Sequence, residues 1–210
     1  MNEEIARKQL IDYINQKIEL TPEEQCSVAN AYHLHHIKKK DFFLKEGTHC
    51  KLQGFVVGGT FRVFYTDKKS LEHVLYFAFK DWWMGDIASF YDDNPTKLNA
   101  QAMEDSWVLV IGREETEQLF KDVPKLERLF RIITQRTLSV LQKRFFLTVS
   151  SNAEERYEEL IKRHAGIEQL VPQHQIASYL GILPESLSRI KKQLIERKQK
   201  MNLDLSKRNQ

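Results

Sequence analysis

The chain has 210 residues, 41% apolar and 29% charged, with a formal charge of +3 at pH 7. That length can bury a core in two compact units; no apolar run approaches the roughly 20 residues needed to cross a bilayer, and the acidic start Met1-Asn-Glu-Glu lacks the features of a secretory signal. A cytoplasmic protein with no membrane partner is expected, and the isolated Cys26 and Cys50, without Cys-x-x-Cys spacing, read as buried thiols rather than iron–sulfur, zinc or disulfide ligands.

Residues 4–18 carry Ile5, Leu10, Ile14 and Ile18 in a helical pattern. Thr21-Pro22-Glu23-Glu24 is a capping-box start for a second, short helix. From about His35 to Val110, β-prone runs alternate with turn signals: Ile37–Lys39, Phe42–Leu44, Phe55–Val57, Phe61–Tyr65, Val74–Phe79, Ala100–Met103 and Val108–Ile111. Gly47, Gly54, Gly58, Gly59 and Asp67-Lys-Lys-Ser70 punctuate them. Strands at such spacing predict a β-barrel or sandwich. Helix returns at Glu114–Lys121, and Pro124 starts a long helix that runs to about Ser150. One stripe on it holds Leu126, Leu129, Ile133 and Val140, with Thr137 filling the gap; a second holds Phe130, Leu138, Leu141 and Phe145. Two stripes imply two partners: the β-unit, and either the same helix of another subunit or a second layer of its own chain. Ser150-Ser-Asn-Ala-Glu-Glu-Arg156 breaks the pattern and marks a domain boundary, with Ser151 or Asn152 as the cap of a helix over Ala153–His164.

Pro172 to Leu194 reads as a helix-turn-helix. Pro172 and Pro184 each suit a first helical turn, where a missing N–H costs nothing. Gly181 falls in the turn, and Ala177 sits where two helices cross closely. Leu187, Ile190 and Leu194 share one face of the second helix, expected to be buried. Glu185, Ser188, Arg189 and Lys192 share the other, which can accept protons, donate protons and neutralise phosphate. An ordinary amphipathic hairpin shows two faces as well. The charge is local, however: Pro172–Gln210 holds eight Lys and Arg against three Asp and Glu, while residues 1–171 hold 24 against 26.

The order of parts resembles the Crp/Fnr family of bacterial transcription regulators, named after the cyclic-AMP receptor protein and the fumarate–nitrate reductase regulator. The segments that carry the likeness are Val56-Val-Gly-Gly59-Thr-Phe-Arg-Val-Phe64, Gly85-Asp86-Ile-Ala-Ser-Phe90, Ala100-Gln-Ala-Met-Glu-Asp-Ser106 and the helix-turn-helix with Leu187-Ser188-Arg189. The resemblance implies an α+β fold. Residues 1–123 would form an N-terminal double-stranded β-helix (β-roll) sensor with flanking helices, 124–150 the dimerisation helix, and 151–210 a mainly helical DNA-binding domain. It implies a homodimer on double-stranded DNA, with RNA polymerase a further candidate partner. It also implies base contacts from Glu185, Ser188 and Arg189 in half-sites with a TTGA or TGTGA core. Lys191, Lys192, Gln173 and His174 are phosphate-contact candidates. The family usually carries a β-hairpin wing after the recognition helix; the polar, short tail after Leu194 predicts a missing or reduced wing.

In nucleotide-binding members a phosphate cassette starts with Gly-Glu and ends, eleven residues after that Gly, in Arg-Ser. Here it starts with Gly85-Asp86, and the Arg-Ser positions fall on Thr96 and Lys97. Threonine cannot neutralise a phosphate and lysine lacks the planar fork of arginine. The adenine-contacting hydroxyl residues of the long helix are replaced by Leu141 and Gln142. Control by cyclic AMP in the usual mode is therefore not expected, no other cofactor is indicated, and the lack of an N-terminal cysteine cluster argues against an oxygen-sensing iron–sulfur regulator. Phe77, Phe79, Trp82, Trp83, Phe90 and Tyr91 surround the cassette as core packing or as an apolar ligand pocket. Two other classes compete: a small-ligand sensor acting through protein contacts, and a cupin-like metal enzyme. For the enzyme, His33-Leu-His35 is followed by Lys38 to Lys40 where a carboxylate ligand belongs, so neither a metal site nor catalysis is expected.

Overall fold

The computed structural model describes residues 1–92 and 94–208. The chain divides into two compact units, Met1–Gln142 and a second that begins at Lys143. In the first, α1 (Glu3–Asn15) is capped by the Asn2 side chain, which accepts from Glu4 N at 2.9 Å. Helix α2 (Pro22–Ala31) carries the capping box expected at Thr21: Glu24 N donates to Thr21 Oγ1 at 3.3 Å and Thr21 N to Glu24 Oε2 at 2.8 Å. Eight strands follow: β1 (His33–Ile37), β2 (Phe42–Leu44), β3 (Leu52–Gly58), β4 (Phe61–Thr66), β5 (Glu72–Ala78), β6 (Trp83–Met84), β7 (Asn99–Ala102) and β8 (Ser106–Gly112). They form two four-stranded antiparallel sheets, in the orders β1-β8-β3-β6 and β2-β7-β4-β5, which make the β-roll. A short helix, α3 (Ile87–Asp92), interrupts the strands; α4 (Arg113–Asp122) and the long α5 (Lys125–Ser150) follow them.

Period-two alternation explains how β3 and β8 sit. Phe55, Val57, Leu109 and Ile111 face a layer of helices, against Leu10, Ile14, Tyr32, Leu119, Leu126 and Leu129. Val56, Val108 and Val110 face the other sheet, against Phe61 and Ala78. Both faces are covered, so these strands read as continuous apolar runs rather than alternating ones.

The first strand lies earlier than the Ile37–Lys39 run. It occupies His33–Ile37, paired with β8 from His33↔Val110 to Ile37↔Ser106, while the lysines turn the chain, with Lys40 at φ 75°. The two-residue β6 and the short α3 and α7 (Ile167–Leu170) carry too few residues to show a period. The first helix ends at Asn15, short of the expected reach to residue 18.

The second unit contains α6 (Ala153–Arg163), capped by Asn152 rather than Ser151, with Glu155 N donating to Asn152 Oδ1 at 3.0 Å. Helices α8 (Gln173–Leu180) and α9 (Pro184–Arg208) form the expected hairpin. Pro172 stands just before α8 as its N-cap, and Pro184 opens α9. Gly181 takes the left-handed conformation, φ 68° and ψ 34°, and Ile182 N donates across it to Ala177 O at 3.0 Å. Ala177 and Leu187 are wholly buried where the two helices meet. Helix α9 does not end near Leu194. The tail continues it to Arg208, because Glu, Lys, Arg and Gln are good helix formers and neither Gly nor Pro interrupts them.

Gly59 links β3 to β4 at φ 90°, and a Cβ there would lie 2.1 Å from Ser106 Oγ. Gly59→Ala combines an unfavourable backbone with a clash and is expected to cost about 2 kcal/mol or more. Urea unfolding followed by tryptophan fluorescence measures it; unchanged stability would show that the turn relaxes freely.

Candidate nucleic-acid interface

The α8–α9 hairpin brings together most of the polar residues singled out in its sequence. Leu187 is fully buried, with Ile190 and Leu194 half-buried on the same side of α9. Glu185, Ser188, Arg189 and Lys192 are exposed on the opposite side, and the Lys192 side chain is 80% accessible. Gln173 at the start of α8 reaches across: its Nε2 donates to Ser188 Oγ at 2.5 Å, and Ser188 Oγ donates to Pro184 O at 3.1 Å. Arg189 Nη2 lies 3.3 Å from Ser186 Oγ, an exposed contact within one turn that leaves the guanidinium open to other acceptors. His174 is exposed beside Gln175, whose Nε2 lies 3.1 Å from His174 Nε2. An open groove is lined by Gln173 on α8 and by Ser188, Lys191, Lys192, Ile195 and Gln199 on α9.

Lys191 differs from its neighbours. It is half-buried, and its Nζ lies 2.5 Å from Glu168 Oε1 on α7. The same oxygen accepts from Tyr157 Oη on α6 at 2.8 Å. Hydrogen bonding from Lys191 holds the Glu168 carboxyl below the usual carboxylate range. Burial, and then the Glu168 hydrogen bond, push the Tyr157 hydroxyl up. Sequence reading identified neither Tyr157 nor Glu168; the signal available was that Lys191 follows Leu187 by four residues and precedes Leu194 by three, on the apolar side of the helix.

In the β-roll, Asp86 and Thr96 meet. Thr96, only 2% exposed, donates from Oγ1 to Asp86 Oδ2 at 2.6 Å. Asp86 Oδ1 accepts from Ala88 N at 3.1 Å and Ser89 N at 3.3 Å, at the start of α3. Thr96 Oγ1 also accepts from Leu98 N at 3.0 Å, and its backbone pairs with Gly47 and Thr48. Beside Gly85, Asp86 N donates to Cys50 Sγ at 3.4 Å and Cys50 N donates to Ser89 Oγ at 2.9 Å. Burial raises the Cys50 pKa, which keeps it a thiol. The cassette residues thus satisfy one another. Lys97 is exposed, as are Leu141 and Gln142 on α5.

Of the aromatic residues beside the cassette, Phe77 and Phe90 are buried, Phe79, Trp82 and Trp83 half-buried and Tyr91 exposed. Phe77 and Phe90 are each 3% exposed, and Trp83 lies against Phe55 and Phe130 with ring centroids 5.2 and 5.0 Å apart. On α5, Leu126 and Leu129 are buried, while Leu138, Leu141, Phe145 and Val149 are exposed along one face of the helix. Among the described residues no three His, Cys, Asp or Glu gather to hold a metal ion, and no helix is long and apolar enough to cross a membrane.

Residues 34–123 match the cyclic nucleotide-binding domain family. No curated protein matches the chain in sequence. Among solved structures, FixK2 from Bradyrhizobium japonicum is similar with a TM-score of 0.68 at 19% identity, over 79% of this chain and 85% of that one. A protein from Eubacterium rectale assigned to the crp/fnr family of transcriptional regulators gives 0.67 at 16% identity, over 89% and 88%. The Catabolite Activator Protein of Thermus thermophilus gives 0.56 at 21% identity, over 88% and 87%. The fold is that of the Crp/Fnr regulators: a β-roll, a long helix and a helical C-terminal unit, in that order.

Thr96→Val leaves both Asp86 Oδ2 and Leu98 N without the hydroxyl that serves them. It is expected to cost about 1–3 kcal/mol, read from urea unfolding of the intact chain. A neutral result would mean that water replaces the hydroxyl without loss.

Proposed function

We propose that the chain is a sequence-specific DNA-binding transcription regulator of the Crp/Fnr type, acting in the cytoplasm as a homodimer on a palindromic site. The observation that carries this reading is the α8–α9 hairpin, which presents Glu185, Ser188, Arg189 and Lys192 outward from a helix anchored by buried Leu187. Arg189 can give two hydrogen bonds to guanine O6 and N7, Glu185 can accept from cytosine N4, and Ser188 serves either purine or pyrimidine. Lys192, Gln173 and His174 suit phosphate contacts that set register without reading sequence. Residues 1–123 are the sensor-like β-roll, 124–150 the pairing helix and 151–210 the DNA-binding domain. If the regulator activates, RNA polymerase is a further partner.

The exposed stripe of Leu138, Leu141, Phe145 and Val149 supports pairing through α5, since four large apolar side chains in line on one helix suit a two-fold seam. The cassette supports independence from cyclic AMP in the usual mode. Asp86 already uses the N–H groups at the start of α3 and the Thr96 hydroxyl, and a phosphate beside it would meet a like charge with no arginine to offset it.

Selection from randomised duplexes tests the reading. A palindrome with half-sites about one helical turn apart is expected, with affinity that falls steeply as salt rises and that cyclic AMP leaves unchanged. Arg189→Ala should cost about 1–3 kcal/mol and relax preference at one base pair; equal loss on every duplex would make it a phosphate contact. Enrichment of no palindrome sinks the proposal.

The pairing helix has its own test. Phe145 is 73% exposed, so Phe145→Glu spares the fold but sets charge against charge in a self-facing stripe. Dimer affinity, followed by sedimentation, should weaken about a hundredfold. An unchanged dimer would move the interface elsewhere.

A further inference from the structure

We propose that Glu168 is a positioning residue for the recognition helix, and that Lys191 serves as its internal counter-ion rather than as a phosphate ligand. The inference rests on the DNA-binding reading above.

Three helices converge on one carboxylate oxygen. Tyr157 Oη from α6 and Lys191 Nζ from α9 both meet Glu168 Oε1 of α7, at 2.8 and 2.5 Å. Lys191 lies beside the stripe of Leu187 and Leu194, at the edge of the open groove that Ser188 and Lys192 also line, with its side chain 32% exposed and that of Glu168 33%. Its charge is matched by a carboxylate of the same unit. Lys192, one residue on, points away and is 80% exposed.

The apolar stripe alone leaves the rotation of α9 loosely set. Hydrophobic attraction has no direction, and α9 and its lead-in also carry exposed Leu183 and Ile195, at 69% and 55%, on other sides. A hydrogen-bonded ion pair, by contrast, requires one donor at one place. Turning α9 by one residue would pull Lys191 from Glu168 and carry Arg189 and Glu185 away from the bases they would meet. Because the pair depresses the carboxyl pKa, its contribution is complete above the unfolded carboxylate range and is lost as pH falls through the folded value.

Fluorescence anisotropy on the full-length dimer tests this, with the selected palindrome and a scrambled duplex across a salt series. Glu168→Gln keeps an acceptor for Tyr157 but loses the charge. Lys191→Met keeps an apolar stem on the Leu187–Leu194 stripe, and so the fold. Each should lower affinity for the palindrome about tenfold, with affinity for the scrambled duplex and the salt slope unchanged. The double variant should be no worse than either single, because the two groups act through one contact. The proposal is overturned if Lys191→Met weakens both duplexes alike and reduces the salt slope by about 0.9 per half-site. It is equally overturned if Glu168→Gln strengthens binding, which would make the carboxylate a competitor of phosphate, or if neither single variant changes affinity. A wild-type protein that prefers no palindrome fails the DNA reading itself, before any variant is compared.

Discussion

The first unit depends on one constraint: β3 and β8 are neighbours buried on both faces. Their odd-numbered residues Phe55, Val57, Leu109 and Ile111 fill the layer under the helices, and their even-numbered ones Val56, Val108 and Val110 fill the gap between sheets. A slip of one residue would exchange the two sets. Phe55 would then enter a space shaped by Val56, at the cost of overpacking on one side and a cavity on the other. The same layer takes Leu126 and Leu129 at 1% and 0% exposure, which anchors the first turns of α5. Farther along the same helix Leu138 and Leu141 are exposed, beyond the turns that the layer covers.

In the cassette the polar side chains bond inward. The match of residues 34–123 to the cyclic nucleotide-binding domain family follows from strands and turns that the core requires. Ligand chemistry rests on fewer groups, and here Asp86, Thr96, Ser89 and Cys50 bond to one another and to the backbone around α3. A buried threonine hydroxyl with a carboxylate acceptor and an amide donor has no unmet bonding capacity to offer an incoming anion.

Elements set by local chemistry were legible in the sequence. The capping box at Thr21, a cap at Ser151 or Asn152, the turn glycine Gly181, the proline that opens α9 and the apolar runs of β3 and β8 each follow from a few adjacent residues. What escaped depends on distant partners or on pieces too short to show a period. His33–Ile37 is a strand because β8 lies beside it, not because histidine favours strands. The family resemblance placed Asp86 and Thr96 in one cassette but could not show that they bond to each other. Tyr157 and Glu168 carry no mark in their own neighbourhoods. Lys191 did carry one, its place between Leu187 and Leu194, beside the basic charge that made it a phosphate-contact candidate.

Holding a helix and aiming it are separate tasks. Leu187, Ala177, Ile176 and Leu180 bury the joint of α8 and α9 and supply most of its stability. A pair as exposed as Lys191 and Glu168 adds little more, within about 1 kcal/mol once solvent screening is counted. Yet base readout depends on angle: a bidentate arginine contact is lost when its donors swing out of the plane of the guanine edge. A weak but directional contact can therefore matter more to reading sequence than to staying folded. Tyr157 supports the proposed role, because its hydroxyl donates to the same carboxylate oxygen that the lysine meets, so that α9 is tied through one oxygen to two other helices at once.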